Sequence, residues 1–358
     1  MSGTERIAPF VYEGRPQRVT FGPGRLAEAP EALRAIGGSR ALVLSTPEQH
    51  EAGANVARIL GGLAVAHFFG AAMHTPVEVT AQALAIFDEH DADCVVAIGG
   101  GSTTGLGKAI ALRTDAPQLV IPTTYAGSEV TSILGETAAG EKKTIRSLKV
   151  LPEAVIYDVE LTLSLPARLS ATSGMNAMAH AVEALYAKDR NPIVEMMAEE
   201  GLSAFSSGLP RIVADPGDRD ARLSAQYGAW LSGMCLASTS MALHHKLCHV
   251  LGGAFDLPHA ETHAIVLPHA TAYNAPAAPE AMEKVARALG VADPARGLYD
   301  LAKSLNIPLA LKDIGMPEDG IDRAVALVTK DPYWNPRPIE AEGLRALLAR
   351  AYAGEGPR

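Results

Sequence analysis

The feature that most constrains the fold is a series of five short apolar runs in the first half of the chain. They lie at residues 41–44, 63–69, 94–98, 119–121 and 154–157. None of them alternates strictly between apolar and polar residues, as a strand with one face in water would. Each run therefore predicts a strand of a parallel sheet that is covered on both faces. Helical patterns at residues 29–36, 77–89 and 105–112 predict the crossover connections between such strands.

The second half of the chain has a different pattern, which begins after about Leu161. Long helical segments follow one another at residues 173–187, 193–209, 218–238, 241–252 and 280–289, and no strand-like run competes with them. A length of 358 residues also favours about two domains. We therefore predict a Rossmann-like α/β domain over residues 1–160 that binds a nucleotide, and an all-helical domain over residues 161–358 that holds the substrate.

Composition argues against several classes of protein. The net charge is −9 and no run of Lys and Arg forms a basic face, which disfavours a nucleic-acid partner. The longest apolar stretches fall far short of the ~20 residues that span a membrane, and the first six residues do not open a signal peptide. The three cysteines, Cys94, Cys235 and Cys248, are far apart and form no CxxC pair. We expect reduced thiols and a cytoplasmic location.

A glycine-rich turn follows the run at residues 94–98. Gly99, Gly100, Gly101 and Ser102 come directly after the predicted strand, and a helical pattern begins at Gly105. Glycines let backbone N–H groups approach a phosphate closely, and the N-terminus of a helix adds a favourable dipole. The spacing is not G-x-G-x-x-G, and the alternative is a tight turn that binds no ligand.

A second polar loop follows the run at residues 119–121. Thr123, Thr124 and Ser128 lie at the carboxyl end of that predicted strand, where open α/β sheets bind ligands. Such residues also serve in turns and helix caps, but two loops after neighbouring strands favour a dinucleotide site. Thr46 follows the run at residues 41–44, where an acidic residue usually rejects a 2′-phosphate. The hypothesis is that the chain accepts both NADH and NADPH.

Histidines at helical spacing form a third feature. Asn176 and His180 are four residues apart, so a helix places them on one face, and His245 and His249 have the same spacing. His259 follows in a Pro-containing loop. Each histidine alone is more often structural than catalytic, but the combination predicts a site. Because H-x-x-x-H lacks the Glu of a zincin motif, a metalloprotease is disfavoured.

Metal binding is one use of this constellation. His180, His245 and His259 could supply three nitrogens, and three histidines can hold a catalytic zinc. The fourth ligand would be Asn176, whose amide offsets a divalent charge far less than a carboxylate does. We therefore expect no metal, with these four residues as the ligands if one binds.

The motifs together resemble one known family. Gly-Gly-Gly-Ser after a strand, Pro-Thr-Thr followed by Gly-Ser-Glu, Gly-Met-x-Ala-x-x-His, and the segment from His245 to Leu-Pro-His259 are similar to the iron-containing (group III) alcohol dehydrogenases. The resemblance runs from about Phe21 to Arg337. It implies the dehydroquinate synthase-like fold, a nicotinamide cofactor and a homodimer, with Lys142 near the nicotinamide ribose.

Two departures from the family narrow the resemblance. The family holds its metal with one Asp and three His, and the Asp position is Asn176 in this chain. Metal-dependent members also commonly carry Asp at the position of Gly105. Both departures resemble the maleylacetate reductase branch, whose members generally act without a metal and reduce maleylacetate to 3-oxoadipate in bacterial aromatic degradation. By the same resemblance, His249 is an active-site residue outside the metal shell.

The implied reaction requires two chemical roles of the candidate site residues, oxyanion stabilisation and proton donation. Maleylacetate is a dianion whose C=C bond is conjugated to a ketone, so hydride addition at the carbon β to the ketone leaves an enolate. Imidazoles and a hydroxyl can stabilise that oxyanion, and histidine is a natural acid near neutral pH. Six residues are candidates for these roles: His180, His245, His249 and Tyr125, with His244 and His259 behind them.

Other functions stay open at this point. A metal-dependent alcohol dehydrogenase would use Asn176 with the three histidines that could hold a metal. A glycerol- or dehydroquinate-type relative would share the architecture. A non-catalytic NAD(H)-binding protein would leave the histidines inert. Acceptance of chlorinated maleylacetates is likewise open.

Overall fold

The N-terminal half is built on one sheet of six parallel strands. The computed structural model describes residues 9–138 and 141–358, apart from the side chains of residues 141 and 142. The strand order is β1-β8-β5-β4-β2-β3, which confirms the predicted parallel sheet. A separate hairpin pairs β6 with β7. The strands are β1 (Arg18–Phe21), β2 (Ala41–Leu44), β3 (Ala64–Phe68), β4 (Cys94–Gly99), β5 (Gln118–Pro122), β6 (Ile133–Ala138), β7 (Glu141–Arg146) and β8 (Ala154–Tyr157).

Both faces of the sheet are buried, which explains why its strands show no alternation. In β2, Ala41 and Val43 pack into one apolar cluster, whereas Leu42 and Leu44 pack into another. Successive side chains of a strand point to opposite faces, so each face needs its own apolar set. The covering helices are α1 (Ala29–Ala35) and α2 (His50–Leu60) on one face, and α3 (Val77–Glu89) and α4 (Gly101–Thr114) on the other.

The C-terminal half is helical, as the sequence predicts. Within the described residues, no strand follows β8, and no helix is long and apolar enough to cross a membrane. The helices are α5 (Ala167–Tyr186), α6 (Pro192–Ala214), α7 (Arg219–Ser238), α8 (Leu243–Phe255), α9 (His259–Asn274), α10 (Pro279–Leu289), α11 (Pro294–Ser304), α12 (Gly320–Lys330) and α13 (Ala341–Ala353).

Some element boundaries differ from those predicted. Helix α5 begins at Ala167 rather than at residue 173, and α4 begins at Gly101 rather than at residue 105. The loop predicted for His259 is wrong, because this residue is the first of α9 and Pro258 precedes it at the N-cap. A proline at the start of a helix removes an N–H that has no helical partner there, so it marks a beginning as readily as an end.

The predicted domain boundary between residues 160 and 161 lies in the short helical turn Val159–Thr162, between β8 and α5. The two halves approach closely at Gly127, which follows β5 and has a φ of 78°. A Cβ there would lie 3.0 Å from the Cα of Gly233 in α7 and 3.7 Å from His180 Nδ1 in α5. A glycine is therefore required where the loop of the nucleotide half rests against the helical half.

Candidate active site

The carboxyl edge of the sheet forms one side of the site. The chain moves from β2 outward to β3 and then returns to β4 on the other side of β2, so the strand order reverses between β2 and β4. Ligands of open α/β sheets bind in the crevice at such a reversal. The turn after β2 meets the loop after β5, because Gln49 Nε2 donates a hydrogen bond of 2.8 Å to Thr123 Oγ1.

The glycine turn lies in this crevice, at the N-terminus of α4. A Cβ at Gly100 would lie 3.0 Å from the Thr124 side chain, so the turn can approach the second loop this closely only without a side chain. Gly101 and Ser102 begin the helix itself. A backbone cradle of this kind, with unpaired N–H groups at a helix start, has the form required by a dinucleotide phosphate.

Lys108 anchors the loop that follows β5. Its buried ammonium donates to the carbonyl oxygens of Ser128, Thr131 and Ile133 and to Thr131 Oγ1, at 2.6 to 2.9 Å. Burial lowers the pKa of Lys108 to about 7, and the charge of Glu129 opposes that effect. Ser128 Oγ also lies 3.4 Å from Lys108 Nζ. Ser128, a predicted cofactor residue, therefore has a structural role in this loop.

For two predicted cofactor residues, Thr46 and Lys142, the structure gives the backbone position. Thr46 lies between β2 and a short helical turn over residues Pro47–Gln49, at the crevice side of the sheet. Lys142 lies in β7, but its side chain is outside the part of the structure that is described. Its predicted position near the nicotinamide ribose stays a prediction.

The helical half brings six histidines together, and they are called the imidazole cluster below. The ring centroids of His180 and His245 are 5.2 Å apart, and those of His245 and His249 are 6.2 Å apart. His263, which the sequence did not single out, lies 5.1 Å from His245 and 4.3 Å from His259. The cluster comprises His180 from α5, His244, His245 and His249 from α8, and His259 and His263 from α9.

The cluster has an exposed side and a buried side. His249 and His259 are exposed, whereas the other four rings are buried. Burial lowers the pKa of His244 to about 4, and it lowers the pKa of His180 and His245 well below the usual value, with neighbouring imidazoles adding to the effect. The buried rings are therefore neutral at pH 7, and each presents one nitrogen as donor and the other as acceptor.

Glu183 is the residue that orients this cluster, and the sequence analysis did not identify it. Its fully buried carboxylate accepts hydrogen bonds from the backbone N–H groups of Ala242 (2.9 Å) and His244 (2.8 Å) at the start of α8. It also lies 2.6 Å from His245 Nδ1. A carboxylate that already receives two donors accepts from this nitrogen too, so Nδ1 carries the proton and Nε2 keeps a free lone pair.

The signal for Glu183 was present in the sequence. It lies seven residues after Asn176 and three after His180, which is the same face of α5, and the rest of that face is apolar or small. A charged residue inside such a helix must find buried partners. His263 follows the same rule, because it is one helical turn after His259.

Several buried polar atoms of this site have no hydrogen-bond partner among the described residues. They are Asn176 Oδ1, His180 Nδ1, His245 Nε2 and both ring nitrogens of His263. Leaving one such group unpaired costs roughly 1–3 kcal/mol, so several at one place indicate that a ligand or water supplies the missing partners.

The cluster does not offer the ligand set that iron prefers. The family position for a carboxylate ligand is Asn176, and an amide carries no charge to offset a divalent ion. The buried carboxylate that is present, Glu183, faces Nδ1 of His245 and the start of α8, where three N–H donors surround it. No step of the chemistry below is therefore assigned to a metal.

Tyr125 occupies a different environment from the one predicted. Its ring packs edge-on against Phe205 in the helical core, with centroids 6.2 Å apart. Burial raises the pKa of Tyr125, and its hydroxyl lies near Arg222. The structure thus places this phenol in the core rather than in the imidazole cluster. A tyrosine that does reach the cluster is Tyr333, whose hydroxyl lies 3.2 Å from His249 Nδ1.

Comparison with known proteins agrees with this architecture. Two family models, described as iron-containing alcohol dehydrogenase and as the C-terminal part of the Fe-containing alcohol dehydrogenase family, match residues 16–159 and 170–352. A maleylacetate reductase of Sphingobium indicum is 57% identical over 348 residues, which are 97% of this chain and 99% of that protein.

Two further relatives are also maleylacetate reductases. A maleylacetate reductase of Rhizobium sp. strain MTP-10005 is 55% identical over 98% of this chain and 100% of its own length. The crystal structure of maleylacetate reductase from Agrobacterium tumefaciens has a TM-score of 0.96 at 55% identity, covering 98% of this chain and 100% of that chain. This chain belongs to the iron-containing alcohol dehydrogenase family.

Proposed function

We propose that this chain is a maleylacetate reductase, which reduces the C=C bond of maleylacetate to give 3-oxoadipate. The observation that carries the proposal is the imidazole cluster, in which His180 Nδ1 has no partner among the described residues and lies 3.7 Å from the position of a Cβ at Gly127 in the nucleotide half. An amide at Asn176 replaces the carboxylate ligand of metal-dependent relatives. Relatives that are more than 50% identical over nearly the whole chain are named maleylacetate reductase.

The cofactor of the proposed reaction is NADH or NADPH, held by the crevice at the carboxyl edge of the sheet. Gly99, Gly100 and Gly101 with Ser102 would receive the phosphates, and Thr123 and Thr124 line the neighbouring loop. The residue after β2 that usually discriminates against a 2′-phosphate is Thr46 here, which supports use of both cofactors. Kinetic constants measured with each cofactor test this point, and a strong preference for NADH would contradict it.

The chemistry requires the helical half to manage one negative charge and one proton. The bound nicotinamide supplies a hydride to the alkene carbon β to the ketone. Charge then collects on the ketone oxygen, which ring N–H groups of His180 and His263 can stabilise, since ring nitrogens of both lack a hydrogen-bond partner among the described residues. A proton must reach the α-carbon, and the exposed side of the cluster, with His249 and Tyr333, offers the route from solvent.

Glu183 has a positioning role in this scheme. It holds the proton of His245 on Nδ1, so that Nε2 faces the unpaired atoms of the cluster. His245 Nε2 is thereby fixed as an acceptor, which can orient the proton donor to the α-carbon.

The direct test is turnover of freshly prepared maleylacetate. Loss of NADH absorbance together with formation of 3-oxoadipate, in the presence of EDTA, is the expected result. Absence of turnover by a folded protein that binds NADH would overturn the proposal and would favour a non-catalytic NAD(H)-binding protein.

A metal-dependent alcohol dehydrogenase is the second candidate. It is favoured by His244, His245 and His263, whose ligand nitrogens lie within 4.8 Å of one another, and by His180, whose ring centroid is 5.2 Å from that of His245. Metal analysis of protein purified without chelator separates the two functions. Stoichiometric iron or zinc, with turnover that EDTA abolishes, would reverse the ranking.

A cytoplasmic location and a homodimer complete the proposal. Three free, buried cysteines are consistent with a reducing compartment. Sedimentation of the purified protein measures its oligomeric state, and a monomer at micromolar concentration would contradict the dimer.

A further inference from the structure

A nearly buried lysine lies next to the imidazole cluster and has a weak partner. Lys246 follows His245 in α8, and its side chain is 11% exposed. Its Nζ lies 3.4 Å from Asp331 Oδ2, a carboxylate that is 87% exposed. The ammonium has thus lost most of its water, while its counter-ion remains in solvent. A long ion pair of this kind stabilises little, so Asp331 is easily replaced by another carboxylate.

Tyr333 connects this lysine to the cluster. Lys246 Nζ lies 5.0 Å from the centroid of the Tyr333 ring, and the hydroxyl of the same ring lies 3.2 Å from His249 Nδ1. One tyrosine therefore spans the interval between the ammonium and the imidazoles. Maleylacetate has a comparable reach, since its two carboxyl carbons are separated by five bonds of about 1.5 Å each, or roughly 6 Å when extended.

The charged groups around Tyr333 show that the Lys246 ammonium and the imidazole cluster lie close to the same phenol. Burial raises the pKa of Tyr333, the charges of Asp331 and Glu183 add to that effect, and the charge of Arg146 opposes it. Residues from α5, from β7 and from the loop after α12 thus lie within electrostatic range of one phenol. In a chain with a net charge of −9, such a place gives a dianion a local cation.

The orientation of the proposed substrate decides which carboxylate reaches Lys246. The alkene carbon that receives the hydride carries one carboxylate and must lie on the side of the nucleotide half. The ketone oxygen lies at the imidazoles. The acetate arm is on the other side of the ketone, so its carboxylate lies beyond the imidazoles, where Tyr333 connects His249 to Lys246.

We propose that Lys246 binds the carboxylate of the acetate arm of the dianionic substrate, in exchange for Asp331. This inference rests on the proposed function and adds a determinant of substrate specificity to it. Lys246 then selects enones with a second carboxylate, and Asp331 keeps the ammonium paired until substrate arrives.

The test compares two substrates and three variants in the presence of EDTA and saturating NADH. The substrates are maleylacetate and 4-oxopent-2-enoate, a monoanionic enone without the acetate carboxylate. Lys246→Met is expected to raise the KM for maleylacetate about 10- to 100-fold with kcat changed less than about threefold, because a charged hydrogen bond is lost. The ratio of kcat/KM between wild type and Lys246→Met should be near one for 4-oxopent-2-enoate.

Two further variants keep the test sharp. Lys246→Arg retains the charge and should recover most of the affinity for maleylacetate. Lys330→Met removes the same charge from an exposed position at the end of α12 and should leave both substrates unaffected. An unchanged Kd for NADH and an unchanged melting temperature show that Lys246→Met is folded.

The outcomes separate this inference from the proposed function. If wild type reduces maleylacetate but Lys246→Met leaves its KM unchanged, or weakens both substrates equally, the role of Lys246 is wrong and the proposed function stands. If folded wild type does not reduce maleylacetate, both fall together.

Discussion

Lys108 and the imidazole cluster are both buried polar groups, but they differ in how their hydrogen bonds are completed. The ammonium of Lys108 has four oxygen acceptors within 2.9 Å. In the cluster, Asn176 Oδ1, His180 Nδ1 and His245 Nε2 have no partner among the described residues. A satisfied buried group holds the fold together, whereas convergent unsatisfied groups mark the place where a ligand completes them. The predictions below test that distinction.

The largest effect is expected in the cluster. His245→Ala should lower kcat for maleylacetate about 10³-fold, because the acceptor Nε2, which can orient the proton donor to the α-carbon, is lost. The free energy of unfolding should fall by roughly 1–3 kcal/mol, since the buried Glu183 carboxylate loses the hydrogen bond from Nδ1. Steady-state kinetics and urea unfolding measure both quantities. A variant that is strongly destabilised but retains its kcat would break the comparison.

The opposite result is expected at Lys108. Lys108→Met should lower the free energy of unfolding by about 3 kcal/mol, because the carbonyl groups of the loop and Glu129 lose a buried cation. Affinity for NADH should fall with it, since the loop after β5 loses its anchor.

Lys149→Met is the matched control for Lys108→Met. Lys149 is half exposed and pairs with Asp115 at 3.4 Å, so its loss should change the free energy of unfolding by about 0.5 kcal/mol at most. Equal effects of the two substitutions would show that the oxygen cage around Lys108 contributes nothing.

Glu183 lies between these extremes, because it is satisfied itself and acts through His245. Glu183→Gln should lower kcat about 10- to 100-fold while the KM for NADH stays unchanged. Nitrogen-detected NMR of the imidazoles gives a separate readout, since wild-type His245 should show a protonated Nδ1 and an unprotonated Nε2. The reverse tautomer in wild type would contradict the positioning role.

His269 is a buried histidine outside the imidazole cluster, and it shows what a single unsatisfied ring does. Both of its ring nitrogens are buried and have no hydrogen-bond partner within residues 9–138 and 141–358, yet the residue lies in α9 near Arg350 and forms no ring contact with the imidazole cluster in those ranges. Isolated groups of this kind are a cost to stability and do not form a site. His269→Leu should therefore leave turnover unchanged.

The pH dependence of the free energy of unfolding measures what the burial of His269 costs. Burial lowers the pKa of His269 to about 4 in the folded state, and the charge of Arg350 adds to the effect. The unfolded chain therefore takes up this proton first as the pH falls below about 6.5, and stability is lost between there and pH 4. His269→Leu should remove a slope of about 1.4 kcal/mol per pH unit in that window. Identical slopes for both proteins would contradict the assignment.

The sequence predicted the parts of the molecule that local pattern determines. The runs at 41–44, 94–98 and 154–157 became strands because full burial on both faces requires uninterrupted apolar residues. Strand β1 was not predicted, since its pairing partner β8 lies more than 130 residues away and its four residues mix polar with apolar types. A pairing of that kind is decided by tertiary packing.

The same distinction holds within the site. Helical spacing places His245 and His249 on one face of α8, because positions four apart share a face. The approach of His180 from α5 to His245 depends on tertiary packing. The direction of Tyr125 could not be read in this way. Its phenol enters the core because residues of α6 and α7 surround it there, and those contacts come from distant parts of the chain.

The position of a transferred label tests the central claim most directly, namely that the cluster stabilises an enolate while hydride adds to carbon. Maleylacetate is reduced with NADH deuterated at C4, in the presence of EDTA, and the product is examined by NMR. We expect 3-oxoadipate with deuterium on the carbon next to the carboxylate that was attached to the alkene. Deuterium on a carbinol carbon, formed by reduction of the ketone to an alcohol, would contradict it.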